Sequence, residues 1–263
     1  MSWTKFIMLA GCALQIASAQ SLQATNSSPV AMARIPAGTY VPAFRQPTEP
    51  SQVPVDAFLI DVKPVTNGEY LEFVRSEPHW RKSKVKRLFA DEQYLSDWAG
   101  DLDLGTLSEN APVARVSWYA ARAYARWVGK RLPTTVEWEY VAQASVTAAN
   151  ALADPKFRAQ LQTLYTAPTP AKLPDVPGGM PNFYGVHDLH GVVWEWVSDF
   201  GTAMVTGDAR GDTGLDRQLF CGSGAQGAKD TGDFPTFMRF AFRSSLKASY
   251  TVHNLGFRCA KSL

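Results

Sequence analysis

The feature that most constrains this chain is the shortness of everything periodic in it. Three stretches carry a helix-start signal followed by about two turns of apolar register. Elsewhere Gly, Pro, Asp and aromatic residues crowd together with no sustained period of 3.6 or 2. A polypeptide of this kind cannot organise its backbone through long ladders or bundled helices, so it must fix turns and short strands with large side chains. The eight tryptophans are read as those pegs. With 263 residues and 46% hydrophobic content, it can fill a substantial core. It shows no internal repeat and no linker after residue 34.

The three helix signals are specific. Thr66-Asn67-Gly68-Glu69 has the spacing of a capping box, and Tyr70, Phe73 and Val74 fall on one face before Pro78 stops the helix. Ser117 opens a second helix with Ala121, Tyr124 and Val128 in register and Gly129 as its stop. Thr134 and Glu137 form another capping box after Pro133, followed by Trp138, Val141 and Ala142 on one face. The domain is expected to begin at residue 34, where Arg34 to Tyr40 suits an edge strand. Residues 148 to 181, roughly, are read as a variable insertion.

The N-terminus pairs Lys5 with an apolar run from Phe6 to Ile16 and then Ala17-Ser18-Ala19, the pattern of an export signal cleaved after Ala19. This assigns residues 1–19 to a signal peptide, 20–33 to a mature leader and 34–263 to the domain, in the periplasm or outside the cell. Leu9-Ala10-Gly11-Cys12 is a competing lipoprotein box that would leave a lipid anchor on Cys12. After the signal no apolar stretch reaches the ~20 residues of a spanning helix. A net charge of +2 with no basic run gives nucleic acid nothing to hold. The sequence has three cysteines. With Cys12 removed or lipidated, Cys221 and Cys259 remain, and in an oxidising compartment a disulfide between them is expected, adding about 4 kcal/mol by loop closure.

Five segments in order carry a resemblance. Lys63-Pro64-Val65-Thr66-Asn67-Gly68-Glu69-Tyr70 comes first, then Val113-Ala114-Arg115-Val116-Ser117-Trp118. Gly129-Lys130-Arg131-Leu132-Pro133-Thr134 runs on through Glu137-Trp138-Glu139-Tyr140. Tyr184-Gly185-Val186-His187-Asp188-Leu189 runs on through Trp194-Glu195-Trp196, and Asn254-Leu255-Gly256-Phe257-Arg258-Cys259 closes the set. Together they resemble the formylglycine-generating enzyme, or sulfatase-modifying factor, superfamily. The resemblance implies an α+β class: one compact, C-type-lectin-like domain with short helices and little regular secondary structure. It also implies a substrate cleft framed by Ser223, Arg243 and Asn254.

Authentic members of that family oxidise a cysteine of a client sulfatase with oxygen and a copper ion held by two thiolates. The thiolates lie between a Gly-Gly-Ser element and an arginine-rich strand, matched here by Cys221-Gly222-Ser223 and by Met238 to Arg243. Residues 224–237 between them contain no cysteine, and Cys221 falls at a glycine position rather than at a ligand. The family's calcium motif reads Gly191-Val192-Val193-Trp194-Glu195-Trp196 here. Val192 offers no side-chain oxygen, so calcium is not expected.

The protein is therefore expected to be an accessory or maturation factor that binds a polypeptide segment of a periplasmic redox enzyme, similar to members that accompany nitrite reductases. The alternative is an oxygen-using oxidase of a peptide or siderophore, similar to pyoverdine-maturation members, with iron or copper on His187, His190, His253 and Glu195. True formylglycine generation on a sulfatase is the third reading. No catalytic residue is assigned.

Overall fold

Each of the three helix-start signals is used. In the computed structural model, which describes residues 31–42, 50–200 and 234–263, the Thr66 hydroxyl accepts from the Glu69 amide. The Glu69 carboxylate in turn accepts from the Thr66 amide at 2.8 Å, heading α1 (Asn67–Ser76). This reciprocal pair satisfies two of the amides that a helix start leaves open. Ser117 caps α2 (Trp118–Trp127), beyond which Gly129 takes a left-handed φ of 71°. Thr134 and Glu137 repeat the reciprocal pair at α3 (Thr135–Ala142), and Arg131 holds the same Glu137 through two 2.7 Å bonds. Tyr70, Phe73, Ala121, Tyr124, Trp138 and Val141 are buried as their register requires.

Two further helices lie outside those expectations. In the stretch read as a variable insertion, Asp154 caps α4 (Pro155–Thr166), which buries Phe157 and Leu161 against Ala151 in a small separate cluster. The strand expected at Met238–Arg243 is instead part of a helix, α5 (Phe234–Ser245). The correction has a geometric reason. Arg239 and Arg243 both reach Glu139; on a strand their Cα atoms would lie about 13 Å apart, whereas residues four apart on a helix are neighbours.

The strands are short. β1 (Met32–Ile35) and β2 (Gly38–Tyr40) open the described domain, followed by β3 (Val53–Val55) and β4 (Phe58–Asp61). β2 pairs with β3, while β1 and β4 join the C-terminal β7 (Ala260–Ser262) in an antiparallel sheet of order β1-β4-β7; the edge strand expected over Arg34–Tyr40 is thus split at Pro36-Ala37 between β1, which starts earlier at Met32 and lies at a sheet edge, and β2 in a different sheet. A parallel pair joins β5 (Trp194–Glu195) to β6 (Leu255–Gly256), with Trp194 opposite Leu255 and Glu195 opposite Gly256. Strand pairs this small do not hold a domain on their own.

Side chains supply the rest. One buried cluster gathers Tyr70, Phe73, Trp98, Tyr124, Trp196 and Phe257; a second gathers Ile35, Phe58, Ile60, Trp138 and Val141 under the β1-β4-β7 sheet. Several indoles act as cross-ties between distant segments. Trp196 donates to the Val116 carbonyl at 2.8 Å, Trp118 to the Val197 carbonyl at 3.0 Å, and Trp138 to the Glu195 carboxylate at 2.7 Å. Each tie satisfies a buried N–H while its ring fills core volume, which is how tryptophan substitutes for a ladder.

Arg258 is the central staple. It is fully buried, grips Glu195 through bonds of 2.8 to 3.0 Å, and donates to the carbonyls of Asp61, His187 and Asp188. One guanidinium thereby fixes β4, the 187–188 turn and β5 relative to the C-terminal segment. Close packing beside it leaves no room at Gly256, where a Cβ would stand 2.5 Å from the Val113 carbonyl oxygen. Gly256→Ala is therefore expected to lower stability by about 1–3 kcal/mol through forced backbone displacement, read as a lower denaturation midpoint at unchanged m-value.

Candidate functional site

A half-open cavity of about 180 Å³ lies between α4, the 167–170 and 189–195 segments, α5 and Asn254. Its position follows from local sequence. The β5–β6 pairing brings the Trp194 amide to the Asn254 carbonyl at 2.8 Å, which sets Asn254 at the mouth; its side chain donates to the Thr169 hydroxyl at 2.9 Å. On another wall Trp194 stacks on Phe242 of α5, with ring centroids 4.5 Å apart.

The cavity lies against a buried ion cluster. Glu139 of α3 receives Arg239 on both oxygens, at 2.7 to 3.2 Å, and Arg243 at 2.6 Å. Both guanidiniums also lie over the Trp138 ring, 5.5 and 4.7 Å from its centre. Burial alone would raise the Glu139 carboxyl. The two cations more than offset it and hold the group at about 2, so it is a carboxylate at every working pH.

His190 sits beside this cluster, walled edge-on by Trp138 and Tyr165. Its Nε2 is 3.0 Å from the Ala142 carbonyl, which can only accept, so Nε2 carries the proton; Nδ1 then accepts from the Tyr165 hydroxyl at 3.0 Å. Desolvation, reinforced by the positive charge of Arg239, lowers the imidazole to about 3 from its ordinary 6.5. The unfolded polypeptide therefore binds a proton below pH 6.5 that the folded protein refuses until about pH 3, and stability falls as pH drops through that window. We expect a loss of about 1–2 kcal/mol between pH 7 and pH 5 from this group. In His190→Gln that portion of the slope should vanish, as seen by urea unfolding at the two pH values.

Of the residues singled out as substrate-binding, Arg243 and Asn254 share this cavity, and Ser223 lies outside the described residues. The residues expected as metal ligands do not assemble. Both ring nitrogens of His190 are spent as described. His187 turns Nδ1 to the Gly179 carbonyl at 2.7 Å, and His253 is exposed in a loop. Asp188, between the two neighbouring histidines, has a left-handed φ of 54° and uses its carboxylate on the Gly178 and Gly179 amides. Glu195 is saturated by Arg258 and Trp138, and a cation beside that guanidinium would be repelled, which also removes it as a calcium ligand. Among the described residues, no three His, Cys, Asp or Glu side chains are gathered as a metal set.

Of the expected Cys221–Cys259 bridge, only one end falls among the described residues. Cys259 is a free, fully buried thiol in the aromatic cluster, with its amide donating to the Asp61 carboxylate at 2.9 Å. Burial, and behind it the Asp61 charge, push the thiol well above its ordinary range, so it does not supply a thiolate; nor does it line the cavity. Copper held by paired thiolates does not fit these residues.

The family model described as a sulfatase-modifying factor enzyme 1-like domain matches residues 18–263. The chain belongs to that family. Among its relatives, the inactive C-alpha-formylglycine-generating enzyme 2 of Bos taurus is 30% identical over 228 residues, 70% of this chain and 76% of that protein. The serine/threonine-protein kinase pkn1 of Chlamydia pneumoniae is 34% identical over 152 residues, 57% of this chain. That match spans only 24% of the kinase. The crystal structure of CarF superposes with a TM-score of 0.52 at 14% identity, covering 89% of this chain and 99% of that one, a likeness of fold. Within the sulfatase-modifying factor frame, Arg239, Tyr165 and Thr169 are cavity residues that the family pattern did not bring out. The signal for the first was present: two arginines four apart, interleaved with phenylalanines.

Proposed function

We propose that this member of the sulfatase-modifying factor family is an exported accessory or maturation factor whose cavity holds a polypeptide segment of a periplasmic redox enzyme. It does not oxidise through a copper-thiolate centre. One observation carries the reading: Arg243 and Asn254 both line one cavity, while the stretch between the matched elements, residues 224–237, has no cysteine. A retained binding frame without its oxidising ligands is suited to recognition. The name of the bovine relative, an inactive generating enzyme, is in keeping with that combination. Export rests on the Lys5, apolar-run and Ala17-Ser18-Ala19 pattern.

A photo-crosslinking amino acid at Thr169, on the cavity mouth, tests the reading in the native host. The expected result is a discrete adduct with an exported redox protein that disappears when Arg243→Ala is added in a protein that still folds. Conversion of a cysteine peptide to its aldehyde by the purified protein, or no adduct at all, would overturn the proposal.

A further inference from the structure

Among the described residues the buried ion cluster is not balanced. Arg239 and Arg243 carry two positive charges and share one carboxylate, Glu139, with all three side chains at least 96% buried. The neighbouring groups do not make up the difference. Glu195 is neutralised by Arg258, and His190 is held uncharged. Among the described residues, one positive charge thus remains against the cavity wall. A buried charge without a partner is costly, so a ligand that supplied the missing charge would relieve that cost.

The geometry shows which atom waits. Nε and Nη2 of Arg239 are spent on Glu139, and Nη2 also reaches the Thr236 hydroxyl at 3.0 Å. Nη1, the corner turned away from the carboxylate, is buried with no hydrogen-bond partner among the described residues. The Tyr165 ring lies 5.3 Å from this guanidinium, close enough to feel its charge. Its hydroxyl donates to His190 and also interacts with the guanidinium, yet Nη1 itself gains no hydrogen bond. Arg239 is itself a wall of the cavity, together with Arg243, Asn254 and the stacked Trp194–Phe242 pair.

We infer that the cavity is a carboxylate-binding subsite, in which Arg239 Nη1 and the Arg243 guanidinium receive an acidic group whose apolar stem rests on Trp194 and Phe242. The chemistry is that of a charge-assisted hydrogen bond in a poorly solvated site. The acid belongs either to the C-terminus of a polypeptide or to a Glu or Asp side chain. The inference rests on the client-binding reading only for what presents the acid; the subsite itself stands on the unpaired charge.

Calorimetry on the full mature protein, with two pairs of probes, tests it. N-acetylphenylalanine against its amide presents a terminal carboxylate, and N-acetylglutamic acid α-amide against N-acetylglutaminamide presents a side-chain one. At least one acid should bind about tenfold or more tightly than its neutral partner, the ratio one charge-assisted hydrogen bond supplies; the pair that discriminates identifies the source. Arg239→Lys, which keeps the charge beside Glu139 but removes Nη1, should reduce that ratio. Thr169→Trp, plugging the mouth, should abolish binding at unchanged melting temperature. Acids that bind no better than their amides in both pairs would overturn the subsite, whatever the fate of the lysine variant. That result alongside a client crosslink would leave the accessory role standing, whereas discrimination without a crosslink would remove the role and keep the subsite.

Discussion

Replacing Arg258 with methionine is expected to cost about 3–5 kcal/mol, the penalty for stranding a buried charge. Glu195 would keep only the Trp138 indole, and the carbonyls of Asp61, His187 and Asp188 would lose their shared donor at once. Because a domain is stable by only about 5–15 kcal/mol, the variant should unfold at markedly lower denaturant or fail to accumulate. The double variant Arg258→Met, Glu195→Leu removes both charges, so it should recover part of the loss, and a positive coupling in that cycle distinguishes the ion pair from lost packing. A single variant within 1 kcal/mol of the parent, on the order of a surface change, would show that the staple does not hold the C-terminal segment to β4 and β5.

Glu139→Gln is the second change of large effect. It leaves Arg239 and Arg243 facing each other without the carboxylate that holds both, and a loss of about 3–5 kcal/mol is expected. Its pH signature separates it from other core lesions. The parent carboxyl sits near 2 against an ordinary 4.5. Its stabilising contribution is thus fully present above about pH 4.5 and is lost as pH falls toward 2. In the glutamine variant that part of the acid limb should be missing. Parallel acid-unfolding curves of parent and variant below pH 4.5 would contradict the assignment.

How much of this was legible in the sequence depended on the range of the interaction. Thr66, Ser117 and Thr134 announce helices because a cap and its partner amide lie within one turn. The fold class followed from five ordered motifs, since those segments form the pegged core and the Arg258 staple. α5 was not legible as a helix: its register is enforced by Glu139, about a hundred residues away in sequence. The role of α4 as a cavity wall was hidden for a like reason, because an insertion by composition gives no sign of what it covers. The histidines mark the limit of spacing arguments. His187 and His190 are three apart, yet the left-handed Asp188 between them and the separate carbonyls they meet send their donors to different places. Arg243 and Asn254, drawn from the family pattern, do meet in one cavity, because the β5–β6 pairing and the α5–Glu139 contact are themselves products of the motif residues.

On the reading proposed above, the sulfatase-modifying factor frame surrounds a cavity whose described lining offers copper no thiolate. Competition for Cu(I) against a chromophoric chelator, on the reduced protein, tests this most directly. The chelator is expected to keep the copper, with Cys259 alkylated only after unfolding. One equivalent of copper withdrawn from the chelator by the folded protein, and lost on mutating a cysteine, would contradict it.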